Sequence, residues 1–434
     1  MKTCGTFSVV FLFFAIACPL TCFGQDGSSW VRVERSSNGY VLLRDGKQFL
    51  IKGAGGAREH METVVAAGGN SIREWSPDKS ALETARQLGL TVLVGLPLTA
   101  VRHGFDYNNP EQVRKQLENV LATVRDLKNN PAVLMWALGN ELELNVPKEQ
   151  RIAAWQAVEQ AARAVKLEDP NHPVIAVLAG PGRDKLVELD RYCPSLDAVG
   201  INTYGGIIKL PELIQEQGFK RPYLVTEFGP RGHWEVQKTA WGMPIEDTST
   251  EKADLILKGY EHAIATQPQC LGSYVFLWGQ KQEKTHTWYG LFLPDGTRLG
   301  GVDAMTYLWT GKWPEHRCPI IQGTIVVKPG QGTDQNAPDV FRAGSQIHCS
   351  VVASESDGGQ LTVKWDIRRD VANNPSSGGD REPPAPPIAD AVIRESDQTA
   401  IIRVPSTPGD YRIFVYVYNV HGGAATANLP IEAK

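Results

Sequence analysis

The feature that most restricts how this chain can fold is a recurrence. Eight short apolar runs, each followed by a segment of helical character, fill residues 49 to about 313. The runs read FLIKGAGG, NSIREW, TVLVGLPL, AVLMWALGNE, PVIAVLAG, LDAVGINTY, PYLVTEFG and LGSYVFLWG. Near-continuous apolar strands are buried on both faces, the condition of a parallel sheet wrapped by helices. Between them, NPEQVRKQLENVLATVRDLKNN spaces Val113, Leu117, Val120, Leu121 and Val124 three and four residues apart, an amphipathic helix. PKEQRIAAWQAVEQAARAVKLEDP and TSTEKADLILKGYEHAIATQ repeat the design, and Thr248 precedes Glu251 by three residues, as in a capping box. Eight such units predict an α/β fold of (β/α)8 TIM-barrel type. The rival is an open doubly wound sheet, which calls for a Gly-rich phosphate-binding turn after its first strand. GAGG at Gly53 to Gly56 lacks that continuation and suits a close backbone approach to a ligand or strand instead.

The flanks read differently. Asn38-Gly39 and Asp45-Gly46 are hairpin-turn dipeptides, so a small β-hairpin should lead into a strand at Phe49 to Gly53. After Trp313 the pattern changes to CPIIQGTIVVKPG, SQIHCSVVASE, QLTVKWDIRR, AIIRVPS and GDYRIFVYVYNVHG, alternating and rich in Val and Ile. Such half-buried strands predict a small C-terminal immunoglobulin-like β-sandwich. Its default role is that of a spacer or packing module, since sandwiches host many functions. DVANNPSSGGDREPPAPPIAD, between those strands, reads as an extended Pro-rich surface loop.

The first residues, MKTCGTFSVVFLFFAIACPLTCFGQDG, carry a basic start, an apolar core from Val9 to Ala17 and small residues beyond. That is a signal-peptide pattern, too short to span a bilayer as a mature helix. Cleavage is placed near Gly24, with a cut after Ala17 as the alternative. Lipid anchoring at Cys18 is a weaker reading, because Ala15 stands where Leu is usual. The expected domains are a signal peptide at 1–24, the barrel at 25–315 and the sandwich at 316–434. An exported protein follows, periplasmic or extracellular, with no integral membrane segment in the mature chain. Export permits disulfides among Cys193, Cys270, Cys318 and Cys349. Cys318 and Cys349 share the C-terminal region and form the candidate pair, while Cys193 and Cys270 are expected buried and free. No cysteine spacing fits zinc, and neither a metal nor a cofactor is expected. A formal charge of −4 is too small to suggest a nucleic-acid or anionic-membrane partner.

With the strands placed, Glu141 ends the fourth and Glu227 the seventh, on opposite sides of the barrel mouth. Active sites of such barrels lie at that end, and two carboxylates across a cleft are what glycoside hydrolysis requires. On SIREW, WALGNE, GINTYGG, LVTEFG and YVFLWG the chain resembles the clan A glycoside hydrolases over roughly residues 49 to 313. NNPAVLMWALGNE is similar to the barrel domain of glycoside hydrolase family 2. The resemblance implies that Glu141 is the acid/base and Glu227 the nucleophile. It further implies that Asn140 bonds a sugar 2-hydroxyl, Arg73 holds Glu227 ionised, Tyr204 donates a hydrogen bond to Glu227, and Trp278 floors the subsite of the cleaved sugar. Glu141 should then stay protonated near neutral pH through burial or the charge on Glu227.

Of Trp75, Trp234, Trp241 and Trp288, all in or near top-side loops, two should line sugar subsites, with Trp75 and Trp288 the candidates. Glu143 is expected as a solvated or helix-starting residue and His103 as polar surface. Family 2 enzymes typically carry β-sandwich domains ahead of the barrel, whereas here the barrel is expected to start almost directly after the signal, with one sandwich behind it. The long loop GPRGHWEVQKTAWGMPIEDTST after Glu227 is therefore expected to shape the cleft. The expected function is an exported retaining β-glycosidase acting on a poly- or oligosaccharide. The alternatives are a β-glucan transglycosylase using the same residues and a non-catalytic carbohydrate-binding barrel. The presence of both Glu residues counts against the last.

Overall fold

Eight parallel strands close into a barrel in the computed structural model, which describes Met1 and residues 29–182, 184–328, 339–355, 358–371 and 382–434. In order they are Ile51–Gly55, Ser71–Glu74, Thr91–Leu96, Val133–Leu138, Val174–Ala179, Ala198–Asn202, Tyr223–Phe228 and Cys270–Val275, barrel strands one to eight. Each pairs with the next, and strand eight closes the ring against strand one, with Gly272 opposite Ile51. The first strand begins two residues later than the sequence suggested. The signal peptide, its cleavage sites and Cys18 lie outside the described residues, as does much of the Pro-rich loop.

The apolar runs account for this closure. Strands three, four, seven and eight are buried along their whole length, as a sheet with two covered faces demands. One core lies between strands and helices and includes Val120 and Val124 of helix Pro110–Leu127 and Trp155 and Val158 of helix Lys148–Glu168. A second fills the barrel itself with Leu93, Met135, Ile175, Val177, Leu224, Leu271 and Tyr274. Gly53 belongs to it: a Cβ there would sit 2.3 Å from the Tyr274 ring, so this glycine serves strand packing. Helix starts are fixed locally. The Asn109 side chain accepts from the Glu111 and Gln112 amides, and Thr248 with Glu251 forms the expected capping box.

The N-terminal residues form a ribbon, Val31–Ser36, Gly39–Arg44 and Lys47–Gln48. Asp45 and Gly46 turn with φ of 51° and 76°, the positive values a tight hairpin needs. The other turn falls at Ser37-Asn38, one residue before the expected dipeptide, with Gly39 already in the strand. Val31 and Leu42 join the inner core, and backbone bonds to Asn171 and Pro268, which precede strands five and eight, set the ribbon as a plug under the barrel.

Beyond the barrel, two sheets share one apolar core. Ile320–Lys328, Gln346–Ser354, Thr399–Arg403 and Val392–Ser396 form one sheet. Thr362–Arg369, Gly409–Tyr418 and Gly423–Ala433 form the other, joined by Val340–Phe341 and by Arg298–Leu299 from the barrel's last connection. Trp365, Ile367, Ile413 and Val415 meet Ile321, Ile347, Val351 and Ile402 between them. Strand Gln346–Ser354 alternates buried and open, as expected of a half-buried strand, but Gly409–Tyr418 is buried on both faces because its outer face lies against the barrel.

The expected Cys318–Cys349 bridge is not formed: all four described cysteines are free and buried. Cys349 sits in the core of the sheet pair, whereas Cys318 lies at the seam with the barrel, its thiol facing the Arg298 carbonyl. Among the described residues no helix is long and apolar enough to cross a membrane.

Candidate active site

Strand four ends at Leu138, and the chain must then turn sharply to present its next side chains upward. Gly139 does so at φ 68° and Glu141 at φ 53°. The left-handed region costs an ordinary residue about 1–2 kcal/mol, so Glu141 needs support. Its amide donates to the Val177 carbonyl at 3.0 Å, and Arg102 Nη1 donates to its own carbonyl at 2.5 Å. Glu227 is presented from within strand seven and needs no such device.

Arg73, at strand two and 2% exposed, ties the floor of the site together. Its Nη1 donates to Glu227 Oε1 at 2.8 Å and to the Thr226 carbonyl at 2.8 Å, and its Nη2 to Asn140 Oδ1 at 2.7 Å. Trp75 Nε1 reaches Glu227 Oε1 at 3.1 Å, and the Tyr204 hydroxyl donates to Glu227 Oε2 at 2.7 Å. Burial, then the charge on Glu227, holds the Tyr204 phenol well above its usual range, so it stays a donor. Asn140 Oδ1 is occupied by Arg73 and, at 3.2 Å, by Asn202 Nδ2. That fixes the Asn140 amide so that its nitrogen is left for a ligand in the cleft.

Asn202, at the end of strand six, escaped the sequence reading. It donates to Glu141 Oε1 at 2.8 Å, and its own Oδ1 accepts from Thr226 Oγ1 at 2.7 Å. The two carboxylates are thus joined through Asn202, Asn140 and Arg73. Burial, and next the charge on Glu227, push the Glu141 carboxyl up to about 7. One carboxyl is therefore available as an acid near neutral pH, while the other faces three donors.

Around this pair opens a cleft of about 1090 Å³, lined by Trp75, Arg102, His103, Asn140, Asn202, Tyr204, His233, Trp234, Phe276, Lys281 and Tyr289 as well as both glutamates. Of the four tryptophans, Trp75 and Trp234 line it. Trp288 does not, contrary to expectation: it is buried, with its indole N–H donating to the Arg231 carbonyl at 2.9 Å. The expected sugar floor at Trp278 is also corrected. Trp278 is 0% exposed, stacks on Trp309 at 5.4 Å and donates to Thr63 Oγ1 at 2.8 Å, all behind the strand.

Phe276 faces the cleft in its place, edge-on to Trp75 and Tyr204 at 5.8 and 5.9 Å. Trp278→Phe should accordingly lower stability by roughly 1–3 kcal/mol and leave substrate KM unchanged, whereas Phe276→Ala should raise KM. Denaturant unfolding and steady-state kinetics on the two variants check this, and a raised KM for Trp278→Phe would restore the original assignment. Glu143, expected as a solvated or helix-starting residue, is buried, accepting from the Ala179 amide at 2.7 Å and Lys185 Nζ at 2.8 Å. His103 is exposed, as expected of polar surface, and stands at the lining of the cleft. Among the described residues no group of three or more His, Cys, Asp or Glu could hold a metal ion.

Comparison with known proteins bears on the fold that carries this site. Residues 86–237 match the model of the TIM barrel domain of glycosyl hydrolases family 2, a span containing both glutamates. Among solved structures, the family 2 β-galacturonidase from Eisenbergiella tayi bound to galacturonate is 16% identical, with a TM-score of 0.50 over 65% of this chain and 54% of that one. A β-glucuronidase 2 from Bacteroides uniformis, covalently bound to cyclophellitol-6-carboxylate aziridine, is 14% identical, with a TM-score of 0.50 over 94% of this chain and 48% of that one. At these identities the likeness is one of fold, and the chain spans about half the length of either protein. The comparison with curated proteins finds no match.

Proposed function

We propose that this clan A barrel, similar to that of glycoside hydrolase family 2, is a retaining β-glycosidase acting on a poly- or oligosaccharide. The observation that supports it most is the pairing of Glu141, raised to about 7, with Glu227 beside the Arg73 guanidinium. In the first step Glu227 attacks the anomeric carbon as Glu141 donates its proton to the departing glycosidic oxygen. In the second, Glu141 takes a proton from water, which attacks the same carbon and releases Glu227. Two inversions give net retention, the outcome for carboxyl groups about 5–5.5 Å apart. Asn140 Nδ2 meets the sugar 2-hydroxyl, a contact that strengthens in the transition state. Phe276 and Trp75 supply apolar faces for the ring.

Trp234, 59% exposed at the cleft rim, favours a second reading. An aromatic platform there suits an acceptor sugar, whose hydroxyl would replace water and make the enzyme a transglycosylase. The domain limits at 25–315 and 316–434, export behind a signal peptide, and an immunoglobulin-like class for the C-terminal sheet pair complete the proposal.

The test is incubation with a panel of defined β-linked glycans, with products followed by chromatography and by NMR of the anomeric proton. Shorter products with the β-anomer formed first support hydrolysis with retention, and longer products support transfer. An α-anomer first would overturn the double displacement, and binding without turnover would leave a carbohydrate-binding barrel.

A further inference from the structure

Two long connections build one wall of the cleft. The segment 229–247 after strand seven carries His233, Trp234 and Glu235, and the segment 276–293 after strand eight carries Lys281, Glu283 and Tyr289. Neither holds more regular structure than isolated bridges, Lys238 with Pro244 in the first and Glu283 with Thr285 and Phe292 with Arg298 in the second. Long connections of this kind are uncommon unless they have a job, and their position has to come from outside contacts.

Barrel groups supply some, the Gly205 and Gly206 amides donating to Glu235 at 2.8 and 2.9 Å and Lys252 Nζ to Glu246 at 2.6 Å, and the C-terminal region adds further buried polar ones. Arg412, 1% exposed, donates from Nη2 to the Pro244 carbonyl at 2.9 Å, while Asp370 and Asn428 fix its other nitrogens at 2.9 and 2.7 Å. The Tyr416 hydroxyl lies 2.7 Å from His286 Nε2 and donates to Asp366 Oδ2 at 3.1 Å. Glu382 accepts from the amide of Lys284, a residue held at φ 62°, at 2.7 Å. Among the barrel's own connections, Glu246 ties the two segments to each other, accepting from Thr285 Oγ1 at 2.5 Å and Thr287 Oγ1 at 2.8 Å. Around this polar seam Leu293 and Leu299 pack on Phe414, Tyr416 and Ala424. A buried network of this sort selects one arrangement of the groups it joins.

We infer that Arg412, Tyr416 and Glu382 are positioning residues, through which the C-terminal sheet pair holds the cleft wall where sugar units beyond the cleaved one lie. The sheet pair is then a part of substrate selection, with extended β-linked oligosaccharides as the class it favours, and not a spacer. This rests on the glycosidase reading. Aryl glycosides of a single sugar reach little of this wall, whereas a longer chain must lie along Trp234 and the 281–289 segment.

The test compares the full chain with Tyr416→Phe, which keeps the ring's packing, and Glu382→Ala. Each is followed by hydrogen–deuterium exchange of residues 229–247 and 276–293, and by kinetics on an aryl monoglycoside and a long oligosaccharide. The expected result is faster exchange in both segments, an unchanged strand four, and a KM for the oligosaccharide raised about five- to tenfold against less than about twofold for the aryl glycoside. Unchanged exchange, or equal effects on both substrates, would overturn the positioning role. Should the unaltered protein cleave no glycan while the segments still loosen in the variants, the glycosidase reading falls and the hold of the sheet pair on the cleft wall stands.

Discussion

Glu227→Gln is expected to lower kcat by about 10⁴-fold or more, the scale on which removal of a covalent nucleophile acts. An amide of the same shape cannot attack the anomeric carbon, so no glycosyl-enzyme forms and mass spectrometry of quenched enzyme should find the added sugar only on the unaltered protein. Glutamine is the better first replacement because the surroundings of Glu227 are charged and closed. Glu227→Ala would strand the Arg73 guanidinium, which is 2% exposed and keeps only neutral acceptors at Thr226, Asn140 and Asn202. Removing one partner of a buried ion pair costs about 3–5 kcal/mol, so the alanine variant would confound lost chemistry with lost stability. Retention of more than about one-hundredth of the activity in Glu227→Gln would remove Glu227 from the nucleophile's role.

Much of this was legible in the sequence because a barrel imposes a simple rule. A strand covered on both faces stays apolar until it reaches the mouth, so the first polar side chains past the run mark the site. That rule reaches Glu141 and Glu227, the resemblance adds Arg73, Asn140 and Tyr204, and the structure joins all five through Asn202 in one network. The rule applies equally to Asn202, the polar residue of GINTYGG that ends strand six.

The errors came where the chain leaves regular structure. Strand eight ends at Val275, and past that point alternation no longer says which way a side chain points. Two aromatics, Phe276 and Trp278, compete for the cleft there, and the larger one goes to the helix side, where Trp309 and Thr63 receive it. Trp234 and Trp288 sit in connections with no period at all. Glu143 is buried by Lys185, 42 residues away, a contact no local pattern announces. The outer face of Gly409–Tyr418 was the subtler loss. In YRIFVYVY the residues that alternate with the buried core are Arg412, Phe414 and Tyr416; the two aromatics are large and apolar for an open face, and all three meet the barrel.

Under the proposed mechanism, Glu141→Gln should separate the two steps assigned to Glu141. Its carboxyl is raised to about 7, chiefly by burial and then by the charge on Glu227, so the proton is in place below that pH. The proton is lost as pH rises through it. Only the protonated form can donate to a leaving oxygen, and kcat/KM of the unaltered enzyme should therefore fall on the alkaline side of about 7. The hydrogen bond from Asn202 favours the ionised form, so Asn202→Ala should move that limb to higher pH.

In Glu141→Gln the limb should vanish, and kcat/KM on natural glycans should drop by roughly 10²–10⁴-fold, the usual worth of general acid catalysis. A dinitrophenyl glycoside behaves differently, because that leaving group departs without a proton. Glycosylation of Glu227 then stays fast, while the following attack by water lacks its base. Stopped-flow release of the phenol should show a burst equal to the enzyme concentration, followed by a slow steady rate. A uniform loss on both substrates, with no burst and the alkaline limb intact, would assign the proton transfer to another group of the cleft.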